Sequence, residues 1–228
     1  ETGKWSLQRL VRYSDKKGDK PNYIGTFGSE DSKKNKLIRT LQSCLRVTYT
    51  SPKTMHWISL VLTHLLEDES CNILEILEEY CKEKVKESDF EQASGFGFAR
   101  IVFTYLDYLL YKKGYSYMGK EIITPMDDDW QFQFRNSIEH FQPQNPTEGD
   151  SWPPDDLDSF GNLALITVSG NSKFSNLTPQ GKISSYPSII EQSLKLKVMK
   201  ELLNLHKGKW TVLLARKHRD EMFKILKE

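Results

Sequence analysis

The sequence predicts an α+β fold that is mostly helical, and three observations carry that prediction. Apolar residues recur at helical spacing in four segments between Leu37 and Gly114. After Pro125 the apolar period changes to two, as in a strand. A short apolar run, LALI at 163–166, then stands between Gly161-Asn162 and Gly170-Asn171, the punctuation expected around a second strand that leads into a helix. The division that follows is a polar N-terminal segment and helical subdomain over 1–125, and a mixed strand-and-helix domain over 126–228.

Residues 1–35 are polar, contain Gly18, Pro21, Gly25 and Gly28, and read as extended or loop. A first helix places Leu37, Leu41, Cys44 and Leu45 on one face and ends at Ser51-Pro52, because proline cannot continue it. KTMHWISLVLTHLLEDE opens a second helix. CNILEILEEYCKEKVKE makes a third, with Ile73, Leu74, Leu77 and Cys81 facing inward and Glu and Lys outward. FGFARIVFTYLDYLLYKKG makes a fourth, striped by Phe98, Ile101, Val102, Tyr105 and Leu109 and stopped by Gly114. Beyond Pro125, Trp130, Phe132 and Phe134 alternate with Gln131, Gln133 and Arg135, and the same phase runs through Ile138 to His140. This predicts one strand whose inward face ends on a histidine.

Lys plus Arg number 32 and Asp plus Glu 31 in the 228 residues, so total charge points to no polyanionic partner. The distribution is uneven. Residues 139–158 hold six acids (Glu139, Glu148, Asp150, Asp155, Asp156, Asp158) and no Lys or Arg, whereas 159–228 hold twelve bases and five acids. Within that basic third, Lys195, Lys197, Lys200, Lys207 and Lys209 lie where they could track a phosphate backbone, or form a solvated face. Cys44, Cys71 and Cys81 are odd in number and lack metal-ligand spacing, which suits a reducing compartment and a cytoplasmic protein. Asn176-Leu177-Thr178 matches a glycosylation acceptor, a pattern without meaning in that compartment. WISLVLTHLL at 57–66 is about half the ~20 residues a membrane span needs, so no membrane partner is expected. The chain opens ETGKWSLQ without a methionine and reads as part of a longer protein.

The segment NSIEHFQPQNP at 136–146 sets Glu139 beside His140 and then ends the strand with prolines. Neighbouring strand residues face opposite ways, so the two share a site only where the strand twists, bulges or ends. On the dipeptide alone the ordinary reading stands: a hydrogen-bonded core histidine next to a glutamate in water.

The order of residues downstream adds to this. SIEHFQPQNP, then Trp152, GNLALI, Asn171, Asn176 and Lys182 form a strand, loop, strand and helix start carrying His, Asn and Asn in turn. This resembles the ββα-metal unit of the His-Me finger (HNH) endonucleases, and more narrowly the C-terminal domain of GmrSD-type restriction enzymes, the modification-dependent nucleases of phage defence. The likeness covers residues 130–186 and extends to WTVLLARKHRDEMFKIL, similar to the Trp- and Arg-bearing helix that closes that domain.

The resemblance implies an HNH ββα-metal finger embedded in C-terminal helices and a metal-dependent DNA endonuclease. It implies His140 as general base, Glu139 and Asn171 as ligands of a divalent cation, magnesium or else manganese, and Asn162 as the residue holding the histidine segment. Lys182, Lys173 and Asn176 would contact phosphate. The third position is Asn where many of the superfamily have His. That family's nuclease follows a nucleotide-hydrolysing ParB-like domain; no P-loop or ParB-like signature occurs in 1–228, so such a domain is an expected partner upstream. Two other readings remain at this point: a catalytically silent nucleic-acid-binding or assembly module of the same shape, and a helical interaction scaffold with a structural β-hairpin.

Overall fold

A computed structural model describes residues 8–15, 18–25, 33–146, 149 and 151–228. Glu148 and Asp150 of the acidic stretch, and parts of the polar N-terminal segment (1–7, 16–17 and 26–32), lie outside the described residues. The chain divides into two units, Glu1–Glu79 and Tyr80–Glu228, a boundary earlier than the one the sequence suggested at Pro125. Among the described residues, helices predominate and the strands form three two-stranded sheets, so the α+β reading holds.

In the N-terminal unit, β1 (Gln8–Asp15) and β2 (Gly18–Gly25) pair antiparallel, from Gln8 against Gly25 to Asp15 against Gly18. Helix α1 (Lys33–Thr48) buries Ile38, Leu41, Cys44 and Leu45, so the stripe is centred on Ile38 in place of Leu37. Ser51 caps a short 3-10 turn at Pro52–Thr54, and α2 (His56–Glu67) follows, with Trp57 and Val61 buried. The division falls inside α3 (Ile73–Glu87), where Ile73, Leu77 and Cys81 are buried at the expected spacing.

The C-terminal unit is built around α4 (Arg100–Lys113), every residue of which from Ile101 to Tyr111 is buried. A helix covered on all sides belongs to the interior of its unit. Gly114, at φ +73°, ends it. Then β3 (Tyr115–Tyr117) and β4 (Lys120–Ile123) form a hairpin turning at Met118 and Gly119, both at positive φ, which the sequence reading did not foresee.

The long strand expected over 130–140 is shorter. Only Ser137–His140 forms β5, because the alternation breaks at Phe134 and Arg135: Phe134 is exposed and Arg135 is buried. Arg135 is drawn inside by an ion pair with Asp107 of α4 at 2.8 Å, both side chains at 1% exposure or less. A paired buried charge overrides a two-residue pattern, since leaving either partner alone in the interior costs several kcal/mol, roughly 3–5. Asp107 also accepts from Ser193 Oγ at 3.2 Å and from the Lys195 backbone N–H at 2.9 Å.

Strand β5 pairs antiparallel with β6 (Leu163–Ile166), Glu139 opposite Ala164 and His140 opposite Leu163. Helix α5 (Pro154–Leu157) and a 3-10 turn at Phe160–Asn162 connect them. Next come α6 (Val168–Phe174), α7 (Pro179–Ser185), α8 (Pro187–Ile190), α9 (Leu194–Leu205) and α10 (Val212–Lys227). Hydroxyl caps start four of them: Thr167, Thr178, Ser193 and Thr211 each accept from a backbone N–H three residues on. Thr167, not Asn171, therefore opens α6, and Asn171 sits one turn inside it.

Helix α10 presses directly on the 3-10 turn. A Cβ on Gly161 would lie 1.9 Å from the Ala215 carbonyl oxygen, so only glycine permits this approach. The core beside it is aromatic, with Phe98, Phe103, Phe160 and Phe223 in ring contact. Lys195 lies in this core at 1% exposure, its ammonium donating to the carbonyls of Phe160 at 2.8 Å and Leu163 at 2.5 Å. It is not part of a phosphate-tracking surface. Lys197 and Lys200 both pair with Glu191, while Lys207 and Lys209 stand exposed in the turn between α9 and α10. Among the described residues no helix is long and apolar enough to cross a membrane.

Candidate active site

A polar cavity of about 230 Å³ lies where β5 ends, lined by Phe96, Glu139, His140, Asn171 and Asn176 with Ile138, Pro143, Gln144 and Ser175. Glu139 and His140 reach it together because β5 stops at His140. Beyond it, the Phe141 N–H still bonds the Asn162 carbonyl at 2.8 Å, and then the chain bends away.

Each of three lining residues is held from within the protein by one of its atoms. Glu139, 9% exposed, accepts at Oε1 from Lys182 Nζ at 2.7 Å. Burial raises the Glu139 carboxyl above its ordinary range and lowers the Lys182 ammonium below its own, while their attraction opposes both shifts. The His140 Nε2 stands 2.7 Å from Asp158 Oδ1. An ionised carboxylate only accepts, so Nε2 is the donor of this contact and Nδ1 is the ring nitrogen left for another partner. Asn171 donates from Nδ2 to Ser137 Oγ at 2.8 Å, which leaves its amide oxygen as the atom for a ligand.

Asn162 touches no solvent. Its side chain bonds both backbone groups of Gln142, taking the N–H at 2.8 Å and giving to the carbonyl at 3.1 Å, and gives also to the Leu157 carbonyl at 3.0 Å. Trp210 Nε1 donates to the same Asn162 oxygen at 3.2 Å. The turn that α10 compresses thus fixes the segment after His140. Arg216 of α10 forks onto Asp156 at 2.6 and 2.8 Å, tying down the stretch that carries Asp158. Trp210, just before α10, and Arg216 on it therefore brace the segments that carry Asn162 and Asp158.

The other expected phosphate contacts separate. Asn176 lines the cavity, and Lys173 is exposed on α6. Lys182 is wholly buried; besides Glu139, its ammonium bonds the His140 carbonyl, so it lies behind the pair and away from any surface a phosphate could reach. Sequence reasoning did not single out Asp158 or Phe96. Asp158 was one acid among several in a stretch without pattern, and only the fold places it on His140.

The residues present fit a hard divalent cation. The available donors are a carboxylate and an amide oxygen on a polar cavity, and a cation such as magnesium accepts few protein oxygens and keeps several waters. Among the described residues no group of three or more His, Cys, Asp or Glu gathers.

Residues 83–225 match the family model of GmrSD restriction endonucleases, C-terminal domain. No curated protein and no solved structure matches the chain significantly.

Proposed function

Because this chain belongs to the family of GmrSD restriction endonuclease C-terminal domains, we propose that the cavity at the end of β5 is its nuclease centre, a His-Me finger that hydrolyses DNA phosphodiester bonds. The observation that carries the reading is the gathering of Glu139, His140 and Asn171 on one polar cavity. β5 supplies Glu139 and His140 and α6 supplies Asn171, and β5, β6 and α6 follow in the order of a ββα-metal finger.

His140 is the general base. With Nε2–H bound to Asp158, Nδ1 takes the proton of an attacking water, and the ionic partner supports the charge the ring then carries. Glu139 and Asn171 hold a magnesium or manganese ion through a carboxylate and an amide oxygen. When bound, that ion supplies positive charge to the phosphate and to the leaving oxygen. Lys182 aims the Glu139 carboxylate and favours its ionised form against the effect of burial, a positioning role in place of phosphate contact. Asn162 keeps the segment after His140 at its station. Lys173 and Asn176 meet the DNA backbone. The biological setting is cytoplasmic restriction of modified phage DNA, with a nucleotide-hydrolysing ParB-like domain as partner.

The test is cleavage of supercoiled plasmid, modified and unmodified, by the full-length protein with magnesium, manganese or a chelator. Metal-dependent nicking that the chelator abolishes is expected. Tight DNA binding with no cleavage under any metal would overturn the nuclease reading.

A further inference from the structure

Phe96 is 70% exposed although it lines the cavity that holds Glu139, His140 and Asn171. A single exposed phenylalanine on a protein surface is ordinary. This one is placed. It stands in the 3-10 turn Gly95–Gly97, and its ring meets the His140 ring edge to face at 5.9 Å and 89°. Phe98, two residues on, is 4% exposed and packs against Phe103 and Phe160, which pins one end of the turn in the core. The other end is pinned to the residue that holds His140: the Gly95 N–H donates to the Asp158 carbonyl at 2.8 Å. A Cβ on Gly95, at φ +54°, would come within 3.2 Å of the Asp158 carboxylate, so a larger residue there would be strained and would crowd the side chain that holds His140. A Cβ on Gly97 would meet nothing within 4 Å beyond its chain neighbours, so the turn is open at that residue. Two anchors therefore hold an apolar ring out of the core, over a polar cavity, at a fixed distance from His140.

We propose that Phe96 is a stacking platform for a nucleobase next to the cleaved phosphate, one that leaves the helical stack when DNA enters the site. The proposal rests on the nuclease reading and adds to it a base-binding subsite. The chemistry is that of an aromatic face against a base, which tolerates any sequence because every base has a π face. Apart from Ile138 and Pro143 the other lining residues carry polar side chains that suit the phosphate and sugar, and Phe96 is the exposed aromatic face suited to the base itself. A base drawn out onto the ring would also open the backbone around the scissile phosphate.

The experiment uses full-length protein and oligonucleotide duplexes with 2-aminopurine or an abasic residue placed in turn at each position around the cut. Phe96→Ala should weaken KM or Kd by roughly 5- to 150-fold, the loss of one base–aromatic stack, with an unchanged melting temperature. Phe96→Trp should bind as wild type, whereas Phe96→Leu should behave as Ala, because the contact needs a π face and not only an apolar wedge. At the stacked position an abasic residue should erase the difference between wild type and Phe96→Ala. A wild type that cuts DNA, together with a Phe96→Ala variant of equal KM or with a Phe96→Leu variant equal to wild type, would overturn the platform and leave the nuclease reading standing. A wild type that neither binds nor cuts any duplex would overturn both.

Discussion

Two groups of ionisable side chains are buried in the C-terminal unit, and they differ in what lies on their far side. Around Asp107 the partners close on one another: Arg135 by an ion pair, Ser193 and the Lys195 backbone by hydrogen bonds, and the Lys195 ammonium on two carbonyls. Around Glu139 each residue is held by one atom only, from Lys182, Asp158 or Ser137, and a cavity of about 230 Å³ faces the rest. Burial of charge is common to both groups, so burial by itself does not mark a site. What marks one is that groups desolvated and oriented by the protein keep further bonding capacity turned toward open volume. The sealed group serves the open one, since Phe160 and Leu163, whose carbonyls Lys195 binds, flank Asn162.

If this contrast is right, substitutions in the open group change chemistry and those in the sealed group change stability. His140→Ala should lower cleavage about 10²–10⁴-fold, the usual effect of losing a general base, with DNA binding kept and imidazole restoring part of the rate. Asp158→Asn should cost less, ~10–100-fold, because an orienting partner is weakened and the base remains. Plasmid nicking under single-turnover conditions measures both. A folded His140→Ala protein that cuts at the wild-type rate removes the open group from the reaction.

Arg135→Met tests the sealed group. It leaves Asp107 without its ionic partner in the interior and should destabilise the protein by about 3–5 kcal/mol, read as a lower urea midpoint. The rate per folded molecule should hold. Replacing both partners, Arg135→Met with Asp107→Leu, should recover part of the loss, because neither member of the ion pair is then left as an unpaired buried charge. A double variant no more stable than the single would show that Asp107 matters more for Ser193 and the Lys195 backbone than for Arg135.

The same contrast explains what could be read from the sequence. Helices α1 to α4 announced themselves by apolar spacing, and β6 by its bracketing glycines and asparagines. Glu139, His140, Asn162 and Asn171 were singled out because they fall in order along the 33 residues from 139 to 171 with strand and turn signals between them. The long strand over 130–140 was wrong where a non-local force decided: Arg135 turns inward for Asp107, a residue 28 positions away on α4. Lys182, expected to contact phosphate, and Lys195, expected on a basic face, were both placed at the surface, since nothing local distinguishes a lysine that will be buried from one that will be solvated. Phe96 and Asp158 became meaningful only when the fold set both beside His140. The β3–β4 hairpin is a different omission, because Met118-Gly119 carries a turn signal in the sequence itself.

The smallest expected effect concerns Lys195 and pH. Burial lowers its ammonium from the usual lysine range to about 7, and the nearby Asp107 charge opposes that shift without cancelling it. His218, also buried, faces the same region and is held well below its ordinary range, first by burial and then by the Lys195 charge. In the unfolded chain Lys195 keeps its proton to a pH of about 10.4. Between about 7 and that value the unfolded state therefore binds a proton that the folded state has released. Stability must rise with pH across this window, by at most ~1.4 kcal/mol per pH unit from a single group. His218 acts below its own unfolded value of about 6.5 and so stays outside the window. Lys182, lowered in the same direction, contributes a slope of its own, and the comparison with a variant removes it. Lys195→Met should be less stable throughout, because the Phe160 and Leu163 carbonyls lose their donor, and its stability should rise less steeply from pH 7 to 9 than that of the wild type. Urea unfolding at three pH values measures the difference. Equal slopes in the two proteins would mean that Lys195 keeps its proton in the folded interior, with two carbonyls and Asp107 sufficient to hold the charge.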